Sequence, residues 1–464
     1  MKILSSILIT VSLCLCLPAD AFAAEFSTAL EAVDAYLERN FPNTHMPGMS
    51  IVIVDADYVL YSRSFGDCDS SDTQFIIGSM SKSFTAVAIM QLAEQGKIDL
   101  DNPITTYIQA DLDEKVTIRH LLNHTSGFRR YQPLADLTSH SHFGNYVYSN
   151  LNYTLLGEVI EAVTGLSYGE YLKNNIFEPL SLINSHTSLR EAEGMATGHR
   201  NLFGMPIKKK FPYPVDGDLY SYVSVPTGYI ISSAADMGRY LQAFLCGGEG
   251  ILSPQNVESL LYDSVRIPGT NERYAMGWQE TSDYEERLLY HSGLVENYFS
   301  IMCLLPDSGL GIVTLYNMND YFVANNLSTT LTIDVLNILM AVEPAGIGNS
   351  DYIIFHLFIN LIFCLVLLFA IFPLLRLHRW REKIADCRPL FLILGSAALH
   401  ILYPLMLLSI PPLLRAPYSA AWAYAADVIM VTVSSAAFAL VCGVFKLVIW
   451  ARGCVRKNVI YPEH

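Results

Sequence analysis

The chain has 464 residues, enough for one large domain and a further segment. Its formal net charge of −15 argues against a nucleic-acid partner. Hydrophobic residues make up 52% of the chain, a high share for a soluble protein, and the excess is concentrated at the two ends.

The first 23 residues predict a secretory signal peptide. Lys2 precedes an apolar run from Ile3 to Leu17, and the small-residue pattern Ala21-Phe22-Ala23 follows it. The predicted exported body keeps three cysteines, which are Cys68, Cys246 and Cys303. At most one disulfide is therefore possible. No spacing of His and Cys suggests metal ligands, so we predict no metal ion and no cofactor.

Residues 24–345 predict an α+β domain. An amphipathic helix at about Ser27–Asn40 leads into a strand at Gly48–Val54 and a hairpin partner at Tyr58–Tyr61. Three more strands and a helix lie near the other end of this domain, at Arg287–His291, Tyr298–Leu304, Gly311–Leu315 and about Tyr321–Met340. We expect one antiparallel sheet that both ends complete, flanked by helices, with a helical subdomain inserted in the middle.

The segment Ser79-Met80-Ser81-Lys82 places a nucleophile beside a base. The short strand Phe75–Ile77 runs through Gly78 into a helix, on which positions i and i+3 share a face. The helix is apolar nearly all round, so burial should lower the pKa of the Lys82 amine and let it accept the Ser79 proton. An ordinary helix-capping serine and a solvated lysine are the alternatives.

Three apolar stretches near the C-terminus predict transmembrane helices at residues 352–375, 390–410 and 428–450. Each is long enough to cross a hydrocarbon core of roughly 30 Å. Residues 346–351 read as a tether to the first of them, and residues 451–464 as a tail.

Positive charges set the expected orientation of these helices. Arg376, Arg379, Arg381, Lys383 and Arg388 lie between the first two, whereas Arg415 is the only basic residue between the second and third. The positive-inside rule then makes the first connection and the C-terminal tail cytoplasmic. The domain before residue 346 would lie outside, in agreement with the signal peptide.

Two further motifs follow Ser79 in the chain. They are Tyr148-Ser149-Asn150 and, at the end of a strand, His291-Ser292-Gly293. With S-x-x-K, they resemble the three elements of the penicillin-binding protein and class C β-lactamase superfamily of serine hydrolases. The likeness covers roughly residues 25–345. The appended three-helix anchor is similar to that of the colibactin-type prodrug-activating peptidases and of some FmtA-like penicillin-binding homologues.

The resemblance implies a role for each motif residue. Ser79 attacks a carbonyl, Lys82 accepts its proton, and Tyr148 relays a proton to the leaving group, as a partly ionised phenol. Asn150 hydrogen-bonds Lys82 or the substrate amide, and His291 orients Tyr148 or binds substrate.

The backbone N–H groups of Ser79 and Leu294, beside Gly293, would form the oxyanion hole. His124, in the supporting stretch His124-Thr125-Ser126-Gly127, is expected to brace a loop. Many relatives have lysine where this chain has His291, a group that titrates near neutrality when unperturbed.

These features predict a multi-pass protein of the bacterial cell membrane whose extracytoplasmic site hydrolyses a small peptide or amide next to a D-amino acid. Cell-wall peptide trimming and the maturation of an exported prodrug both fit. β-Lactamase or esterase action at the same serine stays open. So does a β-lactam sensor that acylates and barely deacylates.

Overall fold

The computed structural model describes residues 19–137, 142–209, 225–282, 284, 286–348, 350–384, 390–413 and 417–460. The chain divides into two compact units. The first contains the described residues up to Arg200 and those from Lys208 to Ser350, and the second contains Asn201–Ile207 and the chain from Asp351 onward.

An antiparallel sheet forms the centre of the first unit. Its strand order is β2-β1-β12-β11-β10-β9-β8-β7, and smaller pairings join β3 to β6 and β4 to β13. The strands are β1 (Gly48–Val54), β2 (Val59–Gly66), β3 (Gln74–Ile76), β4 (His199–Leu202), β5 (Met205–Lys208), β6 (Ile231–Ser233), β7 (Val265–Arg266), β8 (Arg273–Ala275), β9 (Trp278–Thr281), β10 (Leu288–Val295), β11 (Tyr298–Leu305), β12 (Leu310–Tyr316) and β13 (Met318–Asn319).

The sheet is completed by both ends of the first unit. β1 pairs with β12 from Met49 opposite Tyr316 to Val54 opposite Gly311. Every residue of β1, β11 and β12 is buried, because helices cover both faces of the sheet at these strands. The predicted α+β fold is confirmed.

Helices flank the sheet and form the inserted subdomain. In the first unit they are α1 (Ala19–Asn40), α2 (Ser81–Glu94), α3 (Ile118–Leu122), α4 (Asn150–Thr164), α5 (Tyr168–Leu172), α6 (Ala234–Leu245), α7 (Pro254–Tyr262) and α8 (Ala324–Leu339). Helix α2 is buried from Ser81 to Leu92, as its apolar circumference predicts. Helix α1 is longer than predicted, and residues 1–18 of the predicted signal peptide lie outside the described residues.

The second unit is mainly helical. Its helices are α9 (Asp351–Leu375), α10 (Leu377–Ile384), α11 (Leu390–Leu413), α12 (Tyr418–Tyr424) and α13 (Ala426–Ile460). Three segments are long and apolar enough to cross a membrane, with mean hydropathies of 2.8, 1.5 and 2.3: Asp351–Leu375, Leu394–Leu413 and Ala426–Arg452. The division differs from the sequence-based one at Asn201–Ile207, which groups with these helices and not with the rest of residues 24–345.

Candidate active site

Ser79 lies in a 3₁₀ turn, Gly78–Met80, between β3 and α2. Ser81 braces this turn, because its Oγ donates to Gly78 O at 2.8 Å and accepts from Ile230 N at 3.1 Å. Ser79 itself is partly exposed, whereas the residues on either side of it are buried. The turn therefore holds the hydroxyl in place and leaves it open to a substrate.

Lys82 lies beside Ser79, as the i, i+3 spacing predicted. Its Nζ lies 3.2 Å from Ser79 Oγ and 2.7 Å from the carbonyl oxygen of Thr227. The side chain is 0% exposed, and desolvation holds the pKa of the amine well below its ordinary value. A neutral amine can donate to Thr227 O while its lone pair accepts the Ser79 proton. No sequence pattern identified Thr227 as a partner of Lys82.

Tyr148 joins this pair through a hydrogen bond with Ser79. The Lys82 Nζ lies 4.8 Å from the centre of its ring. Burial raises the pKa of the phenol, and this outweighs the opposite effects of the Ser79 hydrogen bond and the charge of Arg130. Tyr148 is therefore a neutral phenol, and the partly ionised state expected from the sequence is wrong for the free site.

His124 packs directly against Tyr148, with 4.4 Å between the ring centres. Its Nδ1 accepts from Ser149 N at 3.3 Å and lies 2.8 Å from Asn152 Nδ2, so the ring proton belongs on Nε2. Burial, followed by the charge of Lys82, lowers the pKa of this imidazole well below its usual range. The sequence predicted a loop brace, and the hydrogen bonds agree with it. Besides the Nδ1 bond to Ser149 N, the carbonyl oxygen of His124 accepts from Val147 N at 2.9 Å, so His124 holds the loop that carries Tyr148.

Two glycines let β10 approach the turn Gly78–Met80, which we call the nucleophile turn after the proposed role of Ser79. Gly78 has φ +56°, and a methyl group there would lie 2.3 Å from Leu294 N. A methyl group on Gly293 would lie 1.9 Å from Ile77 O. Both positions require glycine, because such contacts are far inside van der Waals distance. This close approach supports the predicted oxyanion hole, formed by the N–H groups of Ser79 and Leu294.

The edge of β10 beside the turn is open. Its neighbour β9 pairs only with Leu288–Tyr290, and within the described part of the chain no other strand covers this side of His291–Val295. An extended peptide can add to such an edge through main-chain hydrogen bonds.

His291 is buried at the start of this open edge. Its Nδ1–H donates to Ser292 O at 2.7 Å, and its Nε2 lies 3.4 Å from Tyr274 OH. Burial, with the Lys82 charge as a smaller cause, lowers the pKa of His291 to about 3. The expected titration near neutrality is therefore wrong. The resemblance implied that His291 could orient Tyr148. The ring centres of the two residues are 6.3 Å apart, and the nitrogens of His291 are directed to Ser292 and Tyr274, not to Tyr148.

Asn150 is the first residue of α4, directly after Ser149. Its Oδ1 is buried and has no hydrogen-bond partner among the described residues. Lys82 bonds to Ser79 and Thr227, not to Asn150. Of the two partners expected for Asn150, the substrate amide is the one that remains.

Comparisons with known proteins identify the family and the fold. The Beta-lactamase family model matches residues 28–333. Protein flp of Staphylococcus aureus (strain N315) is 28% identical over 417 residues, which cover 81% of this chain and 82% of that protein.

Among solved structures, the octameric penicillin-binding protein homologue from Pyrococcus abyssi has a TM-score of 0.60 at 26% identity, covering 70% of this chain and 80% of its own. A class C β-lactamase has a TM-score of 0.57 at 18% identity, covering 67% and 96%, and shows the same fold.

Proposed function

Because the chain belongs to the beta-lactamase family and is a serine hydrolase of that family, we propose that it cleaves amide bonds next to D-amino acids. We also propose that it acts outside the cytoplasm, from a membrane anchor. The observation that carries the chemistry is the buried Lys82 amine, 3.2 Å from a Ser79 hydroxyl that a substrate can reach. A desolvated neutral amine at this distance is the base that an unactivated serine needs.

Acylation begins when Lys82 takes the Ser79 proton and Oγ bonds to the substrate carbonyl carbon. The carbonyl oxygen becomes an oxyanion, which the N–H groups of Ser79 and Leu294 stabilise. Tyr148 then passes a proton to the leaving nitrogen and regains one from Lys82, so the C–N bond breaks and an acyl-enzyme remains. Attack by water, with the same groups moving its protons, releases the acid and restores the Ser79 hydroxyl.

The charge of His291 limits which substrate groups can bind beside it. An imidazole whose pKa is about 3 is uncharged at neutral pH and cannot act as a cation for a free carboxylate. A substrate lying along the open edge of β10 would therefore present a neutral group to His291. Asn150 Oδ1 is free to accept a substrate N–H. These points favour removal of a D-amino-acyl cap over trimming of a peptide with a free C-terminal carboxylate.

The proposal of a membrane anchor rests on the three long apolar segments of the second unit and on the charged residues between them. Arg376, Arg379 and Arg381 follow the first segment, at the end that the positive-inside rule assigns to the cytoplasm. The chain before Asp351 would then lie on the opposite side of the membrane, where a secretory signal would send it.

The competing functions share the acylation step. A β-lactamase or esterase would accept a different acyl donor, and a sensor would stop at the acyl-enzyme. These functions can be distinguished with a defined set of substrates. Such an assay measures directly whether the acyl-enzyme is hydrolysed and whether the D- or the L-isomer is cleaved.

The experiment uses the full-length protein in detergent micelles. N-acyl-D-alanyl amides, their L-isomers and the matching free acids are tested for cleavage, beside a penicillin and a simple ester. We expect turnover of the D-amide, little turnover of the L-isomer, and no covalent labelling of Ser79→Ala by a fluorescent penicillin. Equal rates for both isomers would contradict the D-amino-acid specificity, and a labelling burst without turnover would favour the sensor. Labelling that persists in Ser79→Ala would refute the nucleophile.

A further inference from the structure

The second unit contains a piece of chain far from its helices in sequence, the hairpin tip Asn201–Ile207. It comprises the last residues of β4, the turn Phe203-Gly204 and most of β5. Polar side chains of the apolar helices hold its backbone. Asn360 Nδ2 donates to Phe203 O at 2.9 Å, and Phe203 N donates to Asp427 Oδ2 at 3.4 Å. Asn360 and Asp427 are unusual residues for such helices, and this hairpin gives each a partner.

A second set of contacts fixes the hairpin to the first turns of α9. Asn201 Nδ2 donates to Tyr352 OH at 2.5 Å and lies 3.3 Å from His356 Nε2. Gly204 has φ +85°, and a methyl group there would lie 3.0 Å from His356 Cβ. The turn thus packs closely on α9, at the position where glycine is needed.

These contacts lie at one end of the helices. Tyr352 and Asn360 are eight residues apart on α9, about 12 Å at the rise of an α-helix. Asp427 is the second residue of α13, which enters the bundle at the same end. The charge pattern assigns this end to the outer face of the membrane.

The rest of the tip is apolar and uncovered. Met205 is 57% exposed and Ile207 44%, with the exposed Pro206 between them. Leu357 of α9, which would face lipid, is 65% exposed. The exposed cation Lys208 follows directly. Apolar side chains followed by lysine are the arrangement that a bilayer interface favours, with the apolar part among acyl chains and the amine among phosphates.

We propose that the hairpin tip Asn201–Ile207 is embedded in the outer leaflet of the membrane. Met205 and Ile207 contact acyl chains at the headgroup boundary, and Lys208 pairs with phospholipid phosphate. The inference rests on the membrane anchoring under the proposed function and adds a lipid contact from a segment that no hydropathy window would select.

The test is site-specific photo-cross-linking in nanodiscs of phosphatidylethanolamine and phosphatidylglycerol. p-Benzoyl-phenylalanine replaces Met205, Leu357 or Ile183 in the full-length chain, and phospholipid adducts are detected by mass spectrometry. Ile183 is the matched control, because it is 74% exposed and belongs to the first unit. We expect adducts at 205 and 357 and none at 183. Adducts at 357 without any at 205 overturn the hairpin proposal, and their absence at both positions overturns the anchor itself.

A second set of variants tests the contacts that hold the tip. Asn360→Leu removes the donor to Phe203 O, and we expect it to reduce the lipid adduct at 205 while that at 357 persists. Thr432→Val is the control, because the Thr432 hydroxyl donates within α13, to Val428 O at 2.6 Å. An adduct at 205 unchanged by Asn360→Leu would show that these polar contacts do not set the position of the tip.

Discussion

The close approach of β10 to the nucleophile turn can be tested by Gly78→Ala. The added methyl group would lie 2.3 Å from Leu294 N and 2.5 Å from Gly293 C, so the strand must move away by about 1 Å to reach ordinary contact distance. Because Leu294 N–H is one of the two proposed oxyanion donors, that movement weakens one hydrogen bond in the transition state. Loss of such a donor lowers rates by about 10²–10³, or about 2.7–4 kcal/mol.

The substitution has a second cost that must be separated from the first. Gly78 has φ +56°, where alanine is strained by roughly 1–2 kcal/mol. Gly96→Ala is the matched control, since Gly96 has φ +69° and an added methyl group there meets no atom within 4 Å. Both variants should lose stability, and only Gly78→Ala should lose acylation.

The assay is the single-turnover rate of labelling by a fluorescent penicillin, with thermal unfolding measured on the same samples. We expect Gly96→Ala to label at the parent rate and Gly78→Ala to label about 10²-fold more slowly or worse. If folded Gly78→Ala labels as fast as Gly96→Ala, then Leu294 N–H does not act on the reacting carbonyl.

Four other outcomes follow from the site and from the charge pattern of the C-terminal helices. Lys82→Ala should lower kcat/KM by roughly 10²–10⁴, the range of general-base contributions, and near-parent rates would place the base elsewhere. The kcat/KM of the parent should rise with pH as the Lys82 amine loses its proton, and this rise should end well below pH 10.5 because the pKa is lowered. His291→Gln should leave the shape of that profile unchanged between pH 5 and 8, since the pKa of His291 is about 3; a step near pH 6.5 that disappears in the variant would contradict this. A reporter fused after His464 should be cytoplasmic and one near Pro417 external, and the reverse would refute the orientation.

The sequence was informative where one local pattern determines the geometry. The i, i+3 spacing alone brings Lys82 to Ser79, and alternating or continuous apolar runs located the strands on both sides of the inserted helices.

Other parts of the site depend on contacts that no local pattern records. The Lys82 amine is held by the carbonyl oxygen of Thr227, 145 positions away, and any residue type could supply a carbonyl. The charge of His291 depends on complete burial, which one sequence does not reveal. The hairpin Asn201–Ile207 is a short apolar stretch, and its grouping with the C-terminal helices depends on side chains such as Asn360.

Burial has one common consequence for the titratable groups around Ser79. It lowers the pKa values of Lys82, His124 and His291 and raises that of Tyr148, so each of the four is driven to its neutral form. Burial therefore disfavours the charged form of each of these groups in the free site. In the proposed mechanism, acylation creates two charges together, a protonated Lys82 and an oxyanion, which attract strongly where water is excluded. A substrate that brought a carboxylate next to Lys82 would stabilise the protonated amine before reaction and remove the base. The same burial that activates Ser79 thus argues for a neutral group beside the scissile amide.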